Sequence, residues 1–279
     1  MEWMILADSS CELRELDGCG EGVAFATVPM KIRVGEREFV DNAALDVPQM
    51  LEAMRNWNGP STTACPSPEE WAEKFLQADK SIAVTISSNL SGSYNSAMAA
   101  KEMVLENHPE KQIHVVDSLS TGGEMALILW KIRDMIAAGA SFEEVRAAAE
   151  NEPERLQVLF GLASFDNLVK NGRVGRLVGF LAGRLNMRVV GAGSAQGTIE
   201  MLHKPRGETR MLALILEEMA KRGYTGKSPA FITHCQNENG AKLLRNGIRA
   251  KWPNAEVVIA PTSGLTSFYA EEQGLIVGY

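Results

Sequence analysis

Hydroxyl-rich loops follow short apolar segments at three places in this chain. The loops read Asp8-Ser9-Ser10-Cys11, Ser87-Ser88-Asn89-Leu90-Ser91-Gly92-Ser93 and Asp117-Ser118-Leu119-Ser120-Thr121-Gly122-Gly123. Hydroxyl and backbone N–H groups donate hydrogen bonds to an anion without help from a cationic side chain. In an open parallel sheet, ligands bind outside the carboxyl ends of the strands, where such loops meet. The sequence therefore predicts a polar rim that suits an anionic group.

The loop at 87–93 is the most informative of the three. Ser91, Gly92 and Ser93 stand directly before a helix that we predict to begin near Tyr94. The free N–H groups and the dipole of a helix N-terminus attract an anion, and Gly92 lets a ligand approach the backbone closely. The alternative is that Ser91 or Ser93 only caps the helix. Spacing alone leaves both interpretations open.

A further hydroxyl cluster, residues 61–68, precedes the first long helix. Pro66 and Pro68 keep this segment extended, and Ser67 is placed to cap the helix that Pro68 opens. We interpret the segment as a loop that leaves Thr62 and Thr63 free to face the same rim. Without other information, the pattern indicates only a loop with a helix cap.

Motifs for catalysis are incomplete in this chain. The residues before Ser91 do not form the Gly-x-Ser-x-Gly nucleophile elbow, and the glycines after residue 190 miss the dinucleotide fingerprint by one place. Asp8 and Asp117, at neighbouring strand ends, are a candidate acidic metal pair, but each precedes serine and suits a turn or cap. The histidines and cysteines lack the spacing of metal ligands. We predict no catalytic residue and no metal.

The pattern of elements predicts two α/β domains, residues 1–155 and 156–279. In the first, strands alternate with amphipathic helices, which indicates a mainly parallel sheet covered on both sides, a three-layer arrangement. The second domain is predicted to contain a mixed sheet. We expect strands at 3–7, 82–87, 113–117, 156–164, 229–234 and 256–260, hairpins of 27–34 with 37–40 and of 188–192 with 198–203, and helices at 68–77, 94–106, 124–138, 208–222 and 238–251. A further helix begins at Ser141, which forms a capping box with Glu144.

Composition and charge exclude several classes of protein. The net charge is −7, which disfavours non-specific binding to nucleic acid. No apolar run approaches the roughly 20 residues of a membrane span. The N-terminus lacks a basic region followed by a long apolar one, so we expect a cytoplasmic protein. The four cysteines form no recognisable pairing pattern, and we expect reduced thiols.

Positive charge is concentrated between residues 170 and 210. The basic residues there are Lys170, Arg173, Arg176, Arg184, Arg188, Lys204, Arg206 and Arg210, against the acidic residues Glu200 and Glu208. The excess is either a solvated basic face or a docking surface for an anionic ligand or an acidic partner protein.

Several motifs, in order over about residues 5 to 210, resemble those of the DegV family. The segment from Asp8 to Leu13 is similar to D-S-S-x-D-L, Val28-Pro29-Met30 to V-P-L, and Thr63-Ala64-Cys65-Pro66 to T-S-Q-P. The segment from Leu90 to Ala97, Leu-Ser-Gly-Ser-Tyr-Asn-Ser-Ala, resembles L-S-G-T-Y-Q-S-A and is the most specific match. Asp117-Ser118 and the segment from Leu168 to Arg176 resemble the later D-S and L-x-K-G-G-R-I-G-K signatures.

The resemblance implies a protein that binds one long-chain fatty acid between two α/β domains, with the tail in an apolar tunnel. It makes Thr63 and Ser91 the leading ligands of the carboxylate, with Thr62, Gly92 and Ser93 adjacent. The only small molecule it implies is the fatty acid, and no cofactor is expected.

The resemblance also implies a partner protein. Family members that act as carriers present the acid to a fatty-acid kinase, which makes an acyl-phosphate. Arg206 matches a family arginine implicated in docking that kinase, and the basic excess at residues 170–210, which includes Arg173, suits the same role.

The chain departs from the family pattern at its C-terminal end. Many relatives carry H-T-G-P-G there, whereas this chain has Pro261-Thr262-Ser263-Gly264-Leu265-Thr266 without the histidine. We predict a lipid carrier that is not an enzyme. Two alternatives stay open. One is an enzyme that acts on acyl or phosphorylated substrates at the Ser91 loop, which requires a base beside Ser91. The other is a regulatory protein that binds lipid and changes partners.

Overall fold

The computed structural model describes residues 1–154, 156–174 and 186–279. Its strands are β1 (Trp3–Asp8), β2 (Val23–Val28), β3 (Lys31–Val34), β4 (Arg37–Val40), β5 (Ser61–Ala64), β6 (Lys80–Thr85), β7 (Gln112–Asp117), β8 (Val158–Leu162), β9 (Val189–Gly193), β10 (Ile199–His203), β11 (Ala230–His234), β12 (Val257–Pro261) and β13 (Leu275–Gly278). Its α-helices are α1 (Val47–Arg55), α2 (Pro68–Phe75), α3 (Ser93–Asn107), α4 (Gly123–Ala137), α5 (Phe142–Asn151), α6 (Asp166–Lys170), α7 (Glu208–Lys221), α8 (Glu238–Lys251) and α9 (Gly264–Ala270).

The N-terminal sheet is parallel, with strand order β2-β1-β6-β7. Its alternating side chains enter two separate cores. Ile5 and Ile82 pack with residues of α4 and α5 on one face, and Leu6 and Ala83 pack with residues of α2 and α3 on the other. All six residues of β1 are buried, as expected for a strand covered on both faces. The predicted three-layer arrangement is confirmed.

A small antiparallel sheet, the hairpin sheet, lies beside it with strand order β4-β3-β5. Two predictions are wrong here. The segment 27–34 is not one strand, because Pro29 follows the end of β2 and has no N–H to continue a ladder. The predicted loop at 61–64 is β5, which pairs with β3.

The C-terminal sheet is mixed, as predicted. Its strand order is β10-β9-β8-β13-β11-β12, and within the described residues only β11 and β12 pair in parallel. The predicted hairpin of β9 and β10 and the helices α7 and α8 are present. The sequence interpretation missed the helices α1, α6 and α9 and the central strand β13. We keep 1–155 and 156–279 as proposed domain limits, since all six strands of this sheet follow residue 155.

Helix α4 joins the two halves, since it contacts β1 and β6 as well as β11 and β13. The contact with β13 is close because of Gly278, where a Cβ atom would come within 2.2 Å of Glu124 N. The capping boxes Ser67–Glu70 and Ser141–Glu144 are both formed, which confirms these two predicted helix starts. In the described part of the chain, no helix combines the length and apolarity needed to cross a bilayer.

Candidate functional site

A cavity of about 310 Å³ lies where the three sheets meet, a volume at the lower end of the range for small-molecule sites. Most of its wall is apolar and comes from both halves of the chain: Met30, Ala64, Ile86, Leu90, Leu119, Val158, Phe160, Leu162, Leu168, Ile199, Leu265, Ala270 and Ile276. The polar residues that line it are Thr63, Cys65, Ser91, Ser120, Thr121, Arg173, Thr198, Thr266 and Tyr269. The site is thus an oily cavity with hydroxyl groups in its wall.

Strand β5 places only one of the two predicted threonines in the cavity. Thr63 lines it and lies 2.8 Å from the hydroxyl of Tyr269, measured between the two oxygens. Thr62 is exposed and is absent from the lining. Successive side chains of a strand point to opposite faces, so the expectation that both threonines face one rim is corrected.

The loop before α3 presents Ser91 and Gly92 to the cavity. Gly92, which has no side chain, occupies the N-cap position of α3, so neither Ser91 nor Ser93 is the N-cap residue. The hydroxyl of Ser91 accepts a bond from Ser93 N at 3.3 Å and keeps its own proton for another acceptor. Ser93 does not line the cavity, because it is fully buried and donates its hydroxyl proton to Asp8.

Asp8 organises the polar end of the N-terminal sheet from behind the cavity. Its carboxyl group accepts bonds from the hydroxyls of Ser10 (2.5 Å) and Ser93 (2.7 Å) and from Ile86 N (2.9 Å). Burial raises the pKa of Asp8, and these hydrogen bonds oppose the rise. Asp8 therefore connects the first hydroxyl loop to the start of α3.

The Asp117 carboxyl group serves a similar local purpose in the third loop. It accepts bonds from Ser88 N and Leu119 N, at 3.1 Å and 3.0 Å. These contacts are the turn interactions that the sequence offered as an alternative to metal binding, and among the described residues no cluster of metal-ligating side chains is present.

Arg173 supplies positive charge at the cavity. Its Nε donates to Leu90 O at 3.1 Å, in the loop that carries Ser91. Among the lining residues that the structure describes, it is the one cationic side chain. Arg206 is exposed, pairs in an isolated bridge with Met187, and does not line the cavity. The predicted basic residues Arg176 and Arg184 lie outside the described residues.

A turn between β9 and β10 closes the cavity against the Ser91 loop. Ser87 donates its hydroxyl proton to Gly197 O at 2.7 Å, and Asn89 Nδ2 donates to Gln196 O at the same distance. Gly197 has a φ of +70°, and a Cβ atom there would lie 2.3 Å from the Ser87 hydroxyl. Glycine is therefore required for this contact between the two halves.

Helix α9, which carries Tyr269, is held by acidic residues of the N-terminal half. The buried Asp41 carboxylate accepts bonds from Gly264 N at 2.8 Å and Leu265 N at 2.9 Å, and Ser9 donates to Asp41 at 2.8 Å. Glu12 accepts a bond from Ser263 N. The sequence interpretation missed this helix, although its run of hydroxyl residues from 262 to 267 was a usable signal.

Among the residues that the structure describes, the catalytic alternative finds no base beside Ser91. In these ranges, neither a histidine nor a carboxylate makes a hydrogen bond to Ser91 Oγ, and the buried carboxyl group of Asp8 is bonded to Ser10 and Ser93 instead. A nucleophilic serine requires such a neighbour. The arrangement is suited to holding an anionic amphiphile by neutral donors, with its apolar part against both halves.

Two α/β units that enclose an oily cavity with hydroxyl donors in its wall define a lipid-binding class of protein. A family model described as "Uncharacterised protein, DegV family" matches residues 2–278. The chain belongs to the DegV family, and the sequence resemblance is confirmed.

Three relatives, two of them of known structure, support the same assignment. A DegV domain-containing protein of Streptococcus gordonii is 44% identical, covering 100% of this chain and 99% of its own. The crystal structure of the Streptococcus pneumoniae Fatty Acid Kinase (Fak) B3 protein loaded with linoleic acid has a TM-score of 0.97 and 45% identity, covering 100% of this chain and 99% of that one. A DegV family protein from Eubacterium eligens loaded with heptadecanoic acid has a TM-score of 0.94 and 36% identity, over 99% and 98% of the two chains.

Proposed function

We propose that this protein binds one long-chain fatty acid, with the carboxylate at Thr63 and Ser91 and the acyl chain along the apolar wall of the cavity. The observation that carries the proposal is the cavity itself. It combines an apolar wall with the hydroxyls of Thr63, Tyr269 and Ser91 and with the guanidinium of Arg173. The fatty acids named for the related structures from Streptococcus pneumoniae and Eubacterium eligens support the same ligand class.

The energetics favour an acyl chain as the main source of affinity. Each buried methylene contributes about 0.8 kcal/mol, so a dozen buried methylenes contribute roughly 10 kcal/mol before the costs of association. The hydroxyls add less, because each replaces a bond that the carboxylate makes to water. The head-group contacts mainly fix which end of the ligand enters the polar part of the site.

The bound acid is carried without chemical change and presented to a fatty-acid kinase that forms the acyl-phosphate. The name of the Fatty Acid Kinase (Fak) B3 relative supports this partner. Arg206 is exposed and available for docking. Arg173 lines the cavity. We therefore assign Arg173 to the part of the kinase interface that lies next to the fatty-acid head group. The four cysteines are free thiols, which suits the reducing cytoplasm that we propose as the location.

Native mass spectrometry of the purified protein, before and after organic extraction, tests this proposal. We expect a mass excess that corresponds to about one fatty acid per chain and that extraction removes. Added linoleic acid should then raise the unfolding temperature of the extracted protein, because a ligand that binds only the native state stabilises it. A protein that purifies empty and gains no stability from any long-chain acid contradicts the proposal.

The kinase step has its own test. Incubation of the loaded protein with a fatty-acid kinase and ATP should yield acyl-phosphate, whereas the protein with ATP alone should yield none. Arg206→Ala should lower the rate without lowering fatty-acid affinity, since Arg206 lies outside the cavity lining. Product formation by the protein and ATP without the kinase would contradict the carrier role.

A further inference from the structure

Gly193 is a strand glycine whose backbone conformation does not require glycine. It is the last residue of β9, pairs with Ile199 of β10 and lines the cavity. Its φ is not among the positive values that favour glycine. A glycine in a strand offers no side chain to pack, and it often marks a place where a ligand or another segment approaches closely. The reason for Gly193 therefore lies in the space above its Cα atom.

The space above Gly193 differs from the space above Gly191, the other glycine on the same face of β9. At Gly191, a Cβ atom would lie 2.3 Å from Cζ of Phe160, so a ring of the protein itself fills that place. At Gly193, the one described atom within 4 Å of such a Cβ atom is Cγ1 of Val158, at 2.8 Å. Gly193 and Val158 both line the cavity. The rest of the space above Gly193 is therefore open to the cavity.

Gly193 lies at the end of the cavity away from the proposed carboxylate site. Strand β8 lines the cavity with three alternate residues from Val158 to Leu162. Just beyond Leu162, Ser164 donates a hydrogen bond of 2.8 Å to Glu271, the residue directly after α9. This end of β8 is therefore on the side of the helix that carries the tyrosine. Val158, at the other end, lies beside Gly193, about 13 Å away at about 3.3 Å per strand residue.

We propose that Gly193 is a specificity-determining residue that sets how long an acyl chain the cavity accepts, an inference that rests on the proposed function and deepens it. With the carboxylate at Thr63 and Ser91, the acyl chain runs along β8. Its last carbons lie above Gly193 and against Val158, in the room that the missing side chain leaves. Short acids end before this place, whereas long acids depend on it.

A methyl group at position 193 removes this room. Its carbon would lie 2.8 Å from Cγ1 of Val158, closer than the separation of about 3.5 to 4.0 Å that two carbons prefer. Val158 belongs to the buried core of the sheet, so the open space into which it can yield is the cavity. The last carbons of a long acyl chain then leave the wall. Each displaced methylene raises the Kd by a factor of about four.

Binding of a series of acids from lauric to stearic, together with linoleic acid, to the extracted full-length protein tests this inference. For Gly193→Ala, the ratio of variant to wild-type Kd should be close to one for the shortest acids that bind. It should rise to about 4- to 15-fold for linoleic acid, the factor for one or two displaced methylenes. Val158→Leu fills the same space from β8 and leaves the β9 backbone unaltered, so it should give the same pattern, also if Gly193→Ala fails to fold.

Gly20→Ala is the matched control. Gly20 is exposed and outside the cavity lining, and a Cβ atom there would meet no described atom within 4 Å, so every Kd should stay as in wild type. Thermal unfolding of the ligand-free variants shows whether each one is folded. The inference is overturned, while the proposed function stands, if the Kd ratio of the folded variants is one for every acid or is the same for short and long acids. If wild type binds none of the acids, the proposed function fails first.

Discussion

Replacing Thr63 with valine removes one hydroxyl from the proposed carboxylate site and keeps the shape of the side chain. The hydroxyls of Thr63 and Tyr269 lie 2.8 Å apart, and one of them donates to the other. The pair therefore keeps one free proton for the ligand. A hydrogen bond to a charged group contributes about 1.5 to 3 kcal/mol, so Thr63→Val should raise the Kd for a fatty acid by about 10- to 150-fold.

The same structure predicts how this change combines with others. Tyr269→Phe should cost a similar amount, and the double variant should cost less than the sum of the two, because both changes remove the same donor pair. Thr62→Val is the matched control. It alters the neighbouring residue of β5, which is exposed and outside the cavity lining, and it should leave the Kd unchanged.

Calorimetric titration of each extracted protein with linoleic acid measures these changes in Kd. Thermal unfolding of the ligand-free variants establishes that each one is folded. The reasoning is refuted if Thr62→Val weakens binding as much as Thr63→Val, since β5 would then present the other face to the ligand. Full additivity of Thr63→Val and Tyr269→Phe would also contradict the shared donor pair.

Three further predictions follow from the geometry. Burial raises the pKa of Glu124 to about 7, so the contribution of its proton to stability is complete below the unfolded pKa of 4.5 and is lost as pH rises toward 7. Between pH 5 and 8, the free energy of unfolding measured in urea should fall by about 2 to 3 kcal/mol in wild type and should not fall for this reason in Glu124→Gln. Gly92→Ala should weaken fatty-acid binding, because the new methyl lies 3.3 Å from Cys65 Sγ in the cavity wall, and adding Cys65→Ala should restore part of the affinity; no recovery in the titration would contradict this steric account. Cys65 is only partly buried and so should be accessible to a maleimide in extracted protein, but it should react slowly because its thiol pKa is raised. Linoleic acid should block this reaction, as peptide mass spectrometry can determine; equal labelling with and without the acid would place the ligand elsewhere.

Local patterns were sufficient to predict most of the fold. The helix caps at Ser67 and Ser141 and the alternation of strands with helices depend on residues close in sequence, and they appear as predicted. Strand β5 was not predictable in this way. Its sequence, Ser-Thr-Thr-Ala, has the composition of a loop, and it becomes a strand by pairing with β3, about 30 residues earlier in the chain.

The candidate site was predictable only in part. Ser91 and Gly92 stand directly before a predicted helix, and Thr63 became a candidate through the family resemblance; the structure brings all three residues to one cavity. Tyr269 was missed, because α9 is short and is held by Asp41 and Glu12 from the opposite end of the sequence. Contacts across more than 200 residues leave no periodic signal in a single sequence.

A crystal structure of the protein saturated with linoleic acid tests the central claim most directly. We predict one acyl chain in the cavity, with its carboxylate within hydrogen-bond distance of Thr63 and Ser91 and its tail against residues such as Phe160 and Ile276 from the C-terminal half. Density for the acid outside this cavity, or inside it with the carboxylate among those apolar side chains, would contradict the account.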